Sequence, residues 1–211
     1  MKHKKTILYL SLLLGMNLSA QNQDRVSEKS ANHTTEAAIA NASSFLQLIP
    51  EGQEKDYGFE SRTDFSKVKI EEPFQTFYMN YKQNQLGFVE GNEWRVPLSI
   101  NGKYVALLTV VVSEGHAEAV DFGASTLAKK LQELEVQLGI QHILIRSTYL
   151  SRDYVTSDFA ALCGAPDASD FTALDMDSAQ SLYELNSGPA TPISASTFYT
   201  STAAAVNNMA K

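Results

Sequence analysis

The chain is poor in cysteine and histidine, and this scarcity limits the chemistry it can carry. Cys163 is the single cysteine among 211 residues, so no disulfide can form within one chain. Apart from His3, the histidines are His33, His116 and His142, and no two of them have the spacing of metal ligands. We therefore predict no metal site, and we expect packing rather than cross-linking to hold the fold.

Motifs for nucleotide binding and for serine catalysis are also lacking. The sequence contains no G-x-G-x-x-G or Walker loop and no G-x-S-x-G elbow, so we predict no cofactor and no catalytic residue. The run ALCGAP around Cys163 carries no local signature of the cysteine-protease families. Cys163 is a candidate reactive thiol only if His116 or His142 lies beside it, and burial of the thiol is the simpler interpretation.

Basic residues are outnumbered by acidic ones, and the imbalance excludes one class of partner. The whole chain carries 17 Lys and Arg against 24 Asp and Glu. Three of the lysines lie in the first 20 residues, which contain no acid, so the rest of the chain has a formal charge of −10. A surface this acidic repels phosphate backbones, and no basic stripe with interleaved aromatic residues is present. We expect no nucleic-acid partner.

No apolar run is long enough to span a bilayer, which needs about 20 residues. The run at residues 7–14 is much shorter, follows a basic segment at residues 2–5, and is followed by Ser19-Ala20. This order is typical of a secretory signal peptide. We predict cleavage between Ala20 and Gln21, a secreted or periplasmic location, and a mature chain without a membrane span.

Composition divides the chain into four segments. Residues 1–20 are the predicted signal peptide, and residues 21–33 form a polar, mobile N-terminal arm. Residues 34–188 are expected to form a single α+β domain. Residues 189–211 are rich in Ala, Ser and Thr and are expected to form a loosely ordered tail.

A helix is predicted near each end of the domain. The first spans about residues 35–48, and its apolar stripe consists of Ile39, Ala42, Leu46 and Ile49. The second follows Asp175 or Asp177 and carries Leu182 and Leu185.

The best-defined pattern begins at Trp94. Residues 94–100 alternate between apolar and polar residues or proline, as in a half-buried strand. Asn101-Gly102 and Glu114-Gly115 are typical of tight hairpin turns. We therefore predict two further strands, at residues 103–112 and 116–122.

A leucine helix follows the three strands. Leucines at residues 127, 131, 134 and 138 form one continuous stripe, and Gly139 suits the end of the helix. Residues 142–147 then read as another strand. The order β-β-β-α-β over residues 94–147 predicts an α+β fold, with an antiparallel or mixed sheet and a helix packed on one face.

Pro97 sets the expected position of the first strand in the sheet. With a two-residue turn, Leu98 pairs with Val105 and Pro97 faces Ala106 in a non-bonded pair. The missing N–H of Pro97 then points away from this partner, so residues 94–100 are predicted to form an edge strand. A partner strand could add there only where Pro97 permits, so we expect weak self-association and a monomer.

The same register separates two faces of the sheet. One face gathers the alternating apolar residues and Leu107, and the leucine helix is expected to cover it. The opposite face carries Arg95, Ser99 and Tyr104, a combination that can bind a protein or small-molecule partner where it is exposed. The alternative is that another segment, such as the helix at residues 35–48, covers this face.

Three functional hypotheses follow from these patterns. The first is an exported, non-enzymatic binding or interaction module. The second is a small exported hydrolase whose catalytic residues form no recognisable motif. The third is a structural protein associated with the cell envelope.

Overall fold

The structure is a computed structural model that describes residues 30–82, 85–138, 143–156, 171–173, 182–185, 191–193 and 195–209. The predicted signal peptide, Cys163 and His142 lie outside these ranges. No helix in the described ranges has both the length and the apolar character needed to cross a membrane.

The described chain forms helices and one mixed sheet. The helices are α1 (residues 30–48), α2 (Ser125–Leu138) and α3 (Ala195–Met209). Two 3-10 turns, at Glu54–Tyr57 and Arg62–Lys67, connect α1 to the sheet. The strands are β1 (Lys69–Ile70), β2 (Phe74–Lys82), β3 (Gln85–Ile100), β4 (Lys103–Ser113), β5 (His116–Gly123), β6 (Ile143–Ser147), β7 (Arg152–Thr156), β8 (Phe171–Ala173), β9 (Leu182–Glu184) and β10 (Thr191–Ile193).

The sheet is built outward from β3. Its main path runs β10-β9-β7-β6-β2-β3-β4-β5, while β1 and β8 also pair with β3. All of these pairs are antiparallel except that of β2 with β6, which is parallel. The predicted order of three strands, helix and strand is confirmed as β3-β4-β5-α2-β6. Because α2 crosses over the sheet, β6 lies beside β2 rather than beside β5. The α+β fold with a mixed sheet is therefore confirmed.

Both predicted hairpin turns are confirmed. Asn101 and Gly102 have φ angles of 52° and 73°, and Glu114 and Gly115 have φ angles of 51° and 82°. Positive φ at both central residues is the requirement of a type I′ turn.

The predicted register fails two residues from the first turn, because β4 contains a bulge. Ser99 pairs with Tyr104, but Leu98 pairs with Ala106, so Val105 is the extra residue. One extra residue reverses the face of every later side chain on β4. Leu107 therefore lies on the opposite face from the one predicted.

The prediction that residues 94–100 form an edge strand is wrong. They are part of β3, which pairs with β1 and β2 along one edge and with β4 along the other. Pro97 is tolerated because β1 ends at Ile70 and β2 begins at Phe74, which leaves a break opposite it. Only Glu71 reaches across, and its N–H donates to the Pro97 carbonyl oxygen at 2.9 Å. Because proline has no N–H to return to the Glu71 carbonyl, the ladder loses one bond here, just beyond the end of β1.

Different helices cover the two faces of the sheet. Leu131 of α2 belongs to one buried cluster with Leu107 and Tyr104. Ala38 of α1 belongs to another with Trp94, on the opposite face. The expectation that the leucine helix covers the Trp94 face is wrong, because the β4 bulge moved Leu107 to the other side.

The C-terminal residues are packed rather than loose. Phe198 of α3 is 1% exposed and its ring lies edge-on to that of Tyr154, with ring centroids 4.7 Å apart. The structure thus replaces the expected tail with a helix over residues 195–209. Residues 30–33 of the expected mobile arm belong to α1. The predicted second helix is also wrong where the structure describes it, since residues 182–184 form β9.

Candidate functional site

The three residues of the predicted binding face lie on the α2 side of the sheet, but they do not form an open surface. Arg95 is 6% exposed and Ser99 is fully buried. The Ser99 hydroxyl donates to a carboxylate oxygen of Glu71. The Tyr104 hydroxyl donates to Oε2 of Glu135 on α2 at 2.7 Å. The pKa of Tyr104 is raised well above its usual range, mainly by burial and next by the hydrogen bond to Glu135.

Arg95 belongs instead to a charged cluster that spans four strands, and it also contacts Thr109 of β4. The members of the cluster lie on β2, β3, β6 and β7; we define the charged cluster as Tyr78, Glu93, Arg95, Arg146 and Asp153. Glu93 is at its centre.

Three side chains contact the Glu93 carboxylate. Arg95 contacts Oε1, and Nη1 of Arg146 lies 3.4 Å from the same oxygen. The Tyr78 hydroxyl donates to Oε2 at 2.7 Å. Arg146 also bonds Asp153 through Nε at 2.9 Å. The two positive and two negative charges therefore balance within the cluster.

The electrostatics of the charged cluster follow from its burial. Burial lowers the pKa of Arg95. Burial also lowers that of Arg146, but its hydrogen bond to Asp153 and the nearby carboxylates outweigh this effect, so its pKa is raised. Burial and the Glu93 charge raise the pKa of Tyr78 to about 12. The Tyr78 phenol is thus a hydrogen-bond donor at neutral pH rather than a base.

A glycine places the Tyr78 ring over the sheet. A Cβ atom on Gly91 would lie 2.4 Å from the carbonyl oxygen of Thr76 and 2.6 Å from Cε2 of Tyr78. Only a residue without a side chain lets the ring approach β3 this closely. This packing aims the phenol at Glu93, so the charged cluster is a preformed structural network that ties the strands together.

A second feature, the α1 groove, lies beside α1 and has a cavity volume of about 380 Å³. One wall comes from α1 and the other from the chain that leads into and forms β1. Its lining residues are Ile39, Ala42, Ser43, Leu46, Gln47, Phe65, Ser66, Val68 and Ile70. The groove is therefore mainly apolar, with a few hydroxyl and amide groups.

The second 3-10 turn fixes the wall opposite α1. Asp64 accepts hydrogen bonds from the backbone N–H groups of Glu60 and Ser61 at 3.1 and 3.3 Å. The hydrogen bond from Lys67 to Asp64 lowers the pKa of this carboxyl, so it stays charged as an acceptor.

Arg62 joins this turn to the end of α1. Its Nη2 donates to the carbonyl oxygen of Ile49 at 2.8 Å, and its guanidinium carbon lies 5.5 Å from the centre of the Phe65 ring. Phe65 in turn packs edge-on against the buried Phe59, with ring centroids 5.2 Å apart. The two walls of the α1 groove are thus connected by specific contacts.

The two features differ in what they offer a ligand. In the charged cluster each carboxylate is already paired, so a charged ligand would have to displace an internal partner. In the α1 groove Ile39 lines the cavity and is 63% exposed, so a ligand bound there would remove apolar surface from water. A volume of about 380 Å³ also falls within the range of about 300–1,000 Å³ for small-molecule sites. The α1 groove is the better candidate site.

Most of these residues were not singled out by the sequence. Of the predicted buried stripe of α1, Ala42, Leu46 and Ile49 are buried, but Ile39 is exposed and Ala38 is buried in its place. One sequence signal does point to the groove wall opposite α1: Ser66, Val68 and Ile70 occupy every second position. For the charged cluster the signal was the period of two that puts Glu93 and Arg95 on one face of a strand.

The described ranges include His116 but not Cys163 or His142. In the described part of the chain, no three His, Cys, Asp or Glu side chains are close enough together to hold a metal ion. His116 is exposed at the start of β5. Whether Cys163 is reactive stays a prediction, because it lies outside the described residues.

Comparison with known proteins gives no relative. The chain matches no protein-family model, no curated protein and no solved structure. Its function must therefore be argued from its own residues.

Proposed function

We propose that this chain is an exported, non-enzymatic binding module whose ligand occupies the α1 groove. The basic residues, short apolar run and small residues in its first 20 positions support export. The single observation that supports binding is the α1 groove with Ile39 on its rim.

The energetic argument starts from Ile39. Full burial of an isoleucine side chain is worth about 1.5–3 kcal/mol. Because Ile39 is 63% exposed, a ligand that covers it gains about 1–2 kcal/mol from this one side chain. The walls require little rearrangement, since Arg62 and Phe65 already hold them together, and preorganised sites lose less free energy on binding.

A neutral apolar dye, N-phenyl-1-naphthylamine, tests whether the α1 groove accepts ligands. Its fluorescence should rise on addition of the purified protein. Replacing Ser43, an exposed lining residue of α1, by tryptophan should fill the groove and weaken dye binding at least tenfold.

Ser44 provides the matched control. It is exposed on α1, directly after Ser43, and does not line the groove. Ser44→Trp should bind the dye as wild type does, within about twofold. Equal binding by Ser43→Trp and wild type would contradict the proposal.

Export is tested separately. The full chain, expressed in a bacterium with a periplasm, should be recovered outside the cytoplasm with Gln21 as its first residue. An intact N-terminus in the cytoplasmic fraction would contradict export.

A further inference from the structure

The edge of β1 that faces away from β3 carries main-chain groups with no described partner. Lys69 pairs with Ser99, Ile70 pairs with Leu98, and the Glu71 N–H donates to β3. Along an antiparallel strand, main-chain groups point alternately toward and away from the partner. The N–H and C=O of Ile70 therefore point away from β3, and no described strand pairs with this edge of β1.

The dimensions of the α1 groove match a short extended chain. From Ile39 to Gln47 the helical wall rises about 12 Å. Four residues of an extended chain cover a similar length, and two of their side chains point to the same face. On the opposite wall Ser66, Val68 and Ile70, at every second position, already line the groove.

The helical wall of the α1 groove continues into an exposed acidic residue. Glu36 lies on the same helical stripe as Ile39 and Ser43, about one turn before Ile39. Within the described ranges it forms no ion pair with a basic side chain. The formal charge of −10 on the chain after residue 20 adds to the attraction for a basic ligand.

We propose that the ligand of the α1 groove is an extended peptide that adds a strand to β1. Its main chain pairs with Ile70, its alternate apolar side chains fill the groove, and an adjoining lysine or arginine contacts Glu36. Main-chain pairing supplies affinity and the groove supplies selectivity, as in other strand-addition complexes. This inference depends on the proposed function, because it names the ligand of the same site.

The test uses a fluorescent seven-residue peptide in which two leucines alternate with threonines after one lysine. Fluorescence anisotropy with the full mature chain should show saturable binding. Ser43→Trp should weaken this binding at least tenfold, and Ser44→Trp should not. Replacing each leucine by serine in the peptide should abolish binding.

Two modified peptides separate strand addition from simple apolar contact. N-methylation of the central peptide bonds removes main-chain donors and should weaken binding about fivefold, the effect of losing one net hydrogen bond of about 1 kcal/mol. A peptide with glutamate in place of the lysine should bind several-fold more weakly, and Glu36→Lys should restore its affinity. Glu133→Lys, an exposed change on α2, is the charge-matched control.

The outcomes distinguish this inference from the proposed function. Undiminished binding of the N-methylated peptide would overturn strand addition. Absence of peptide binding, while the dye still binds wild type and fails to bind Ser43→Trp, would overturn the peptide proposal and leave the α1 groove as a small-molecule site. Absence of both would overturn both.

Discussion

Replacing Glu93 by glutamine should cause a large loss of stability, because it leaves the buried Arg95 without its counter-charge. The Glu93 side chain is 16% exposed and compensates Arg95, whose side chain is 7% exposed. Removal of one partner from a buried ion pair costs about 3–5 kcal/mol, because the other charge stays buried without compensation. Glutamine keeps the shape and one acceptor, so we expect about 3 kcal/mol. Since domains of this kind have only about 5–15 kcal/mol of stability, the effect is large.

Urea unfolding followed by tryptophan fluorescence measures this loss. Trp94 is the only tryptophan, is 4% exposed and adjoins Glu93 in the sequence. With a slope of about 2.5 kcal/mol per molar urea, a loss of about 3 kcal/mol lowers the midpoint by about 1.2 M. Glu118→Gln, an exposed change on β5, is the matched control and should shift the midpoint by less than about 0.2 M.

A double variant tests the reasoning behind the number. If the loss arises from an uncompensated Arg95, replacing Glu93 by leucine and Arg95 by methionine together should cost less than Glu93→Gln alone. A Glu93→Gln midpoint equal to that of the Glu118 control would refute the argument, because the cluster would then contribute nothing that a surface charge does not.

Three further changes test other parts of the structure. Gly91→Ala should lower the free energy of unfolding by about 2 kcal/mol, because its Cβ would overlap the Thr76 carbonyl. Asn92→Ala is the control, and equal urea midpoints for the two variants would contradict the expected overlap. Phe198→Ala should cost about 3–5 kcal/mol and expose α3 to limited proteolysis, and resistance equal to wild type would show that α3 is not packed as described. Folding raises the pKa of Tyr78 from 10.0 to about 12, so its stabilising effect is present below about pH 10 and is lost as the pH rises toward 12. The free energy of unfolding should therefore fall more steeply over this range in wild type than in Tyr78→Phe, and parallel curves would contradict the shift.

Local patterns predicted the core of this fold well. The hairpin turns, the strand from Trp94 and the helix α2 each depend on residues close in sequence, and the structure confirms them. The strand is not half-buried as predicted, because residues 94–99 are buried on both faces. The β4 bulge at Val105 was not predictable in this way, because no turn or proline marks it. That one residue moved Leu107 to the other face and reversed which helix covers which side of the sheet.

The candidate sites could not be predicted, because they join segments that are distant in sequence. Glu93 and Arg146 are 53 residues apart, and the contact exists only because β6 crosses over to pair with β2. The α1 groove depends on how an apparently polar segment around Phe65 folds back onto α1. Of the three predicted binding-face residues, Arg95 belongs to the charged cluster. Ser99 is buried, and the Tyr104 hydroxyl is bonded to Glu135 of α2.

Amide chemical-shift mapping tests most directly whether the α1 groove is the ligand site. Uniformly ¹⁵N-labelled protein would be titrated with N-phenyl-1-naphthylamine and its amide shifts followed. We expect the largest changes at Ile39, Ser43, Phe65 and Ile70, and little change at Glu133, which is exposed on α2 over the opposite face of the sheet. Shifts centred on other residues, or no shifts at saturating dye, would contradict the account.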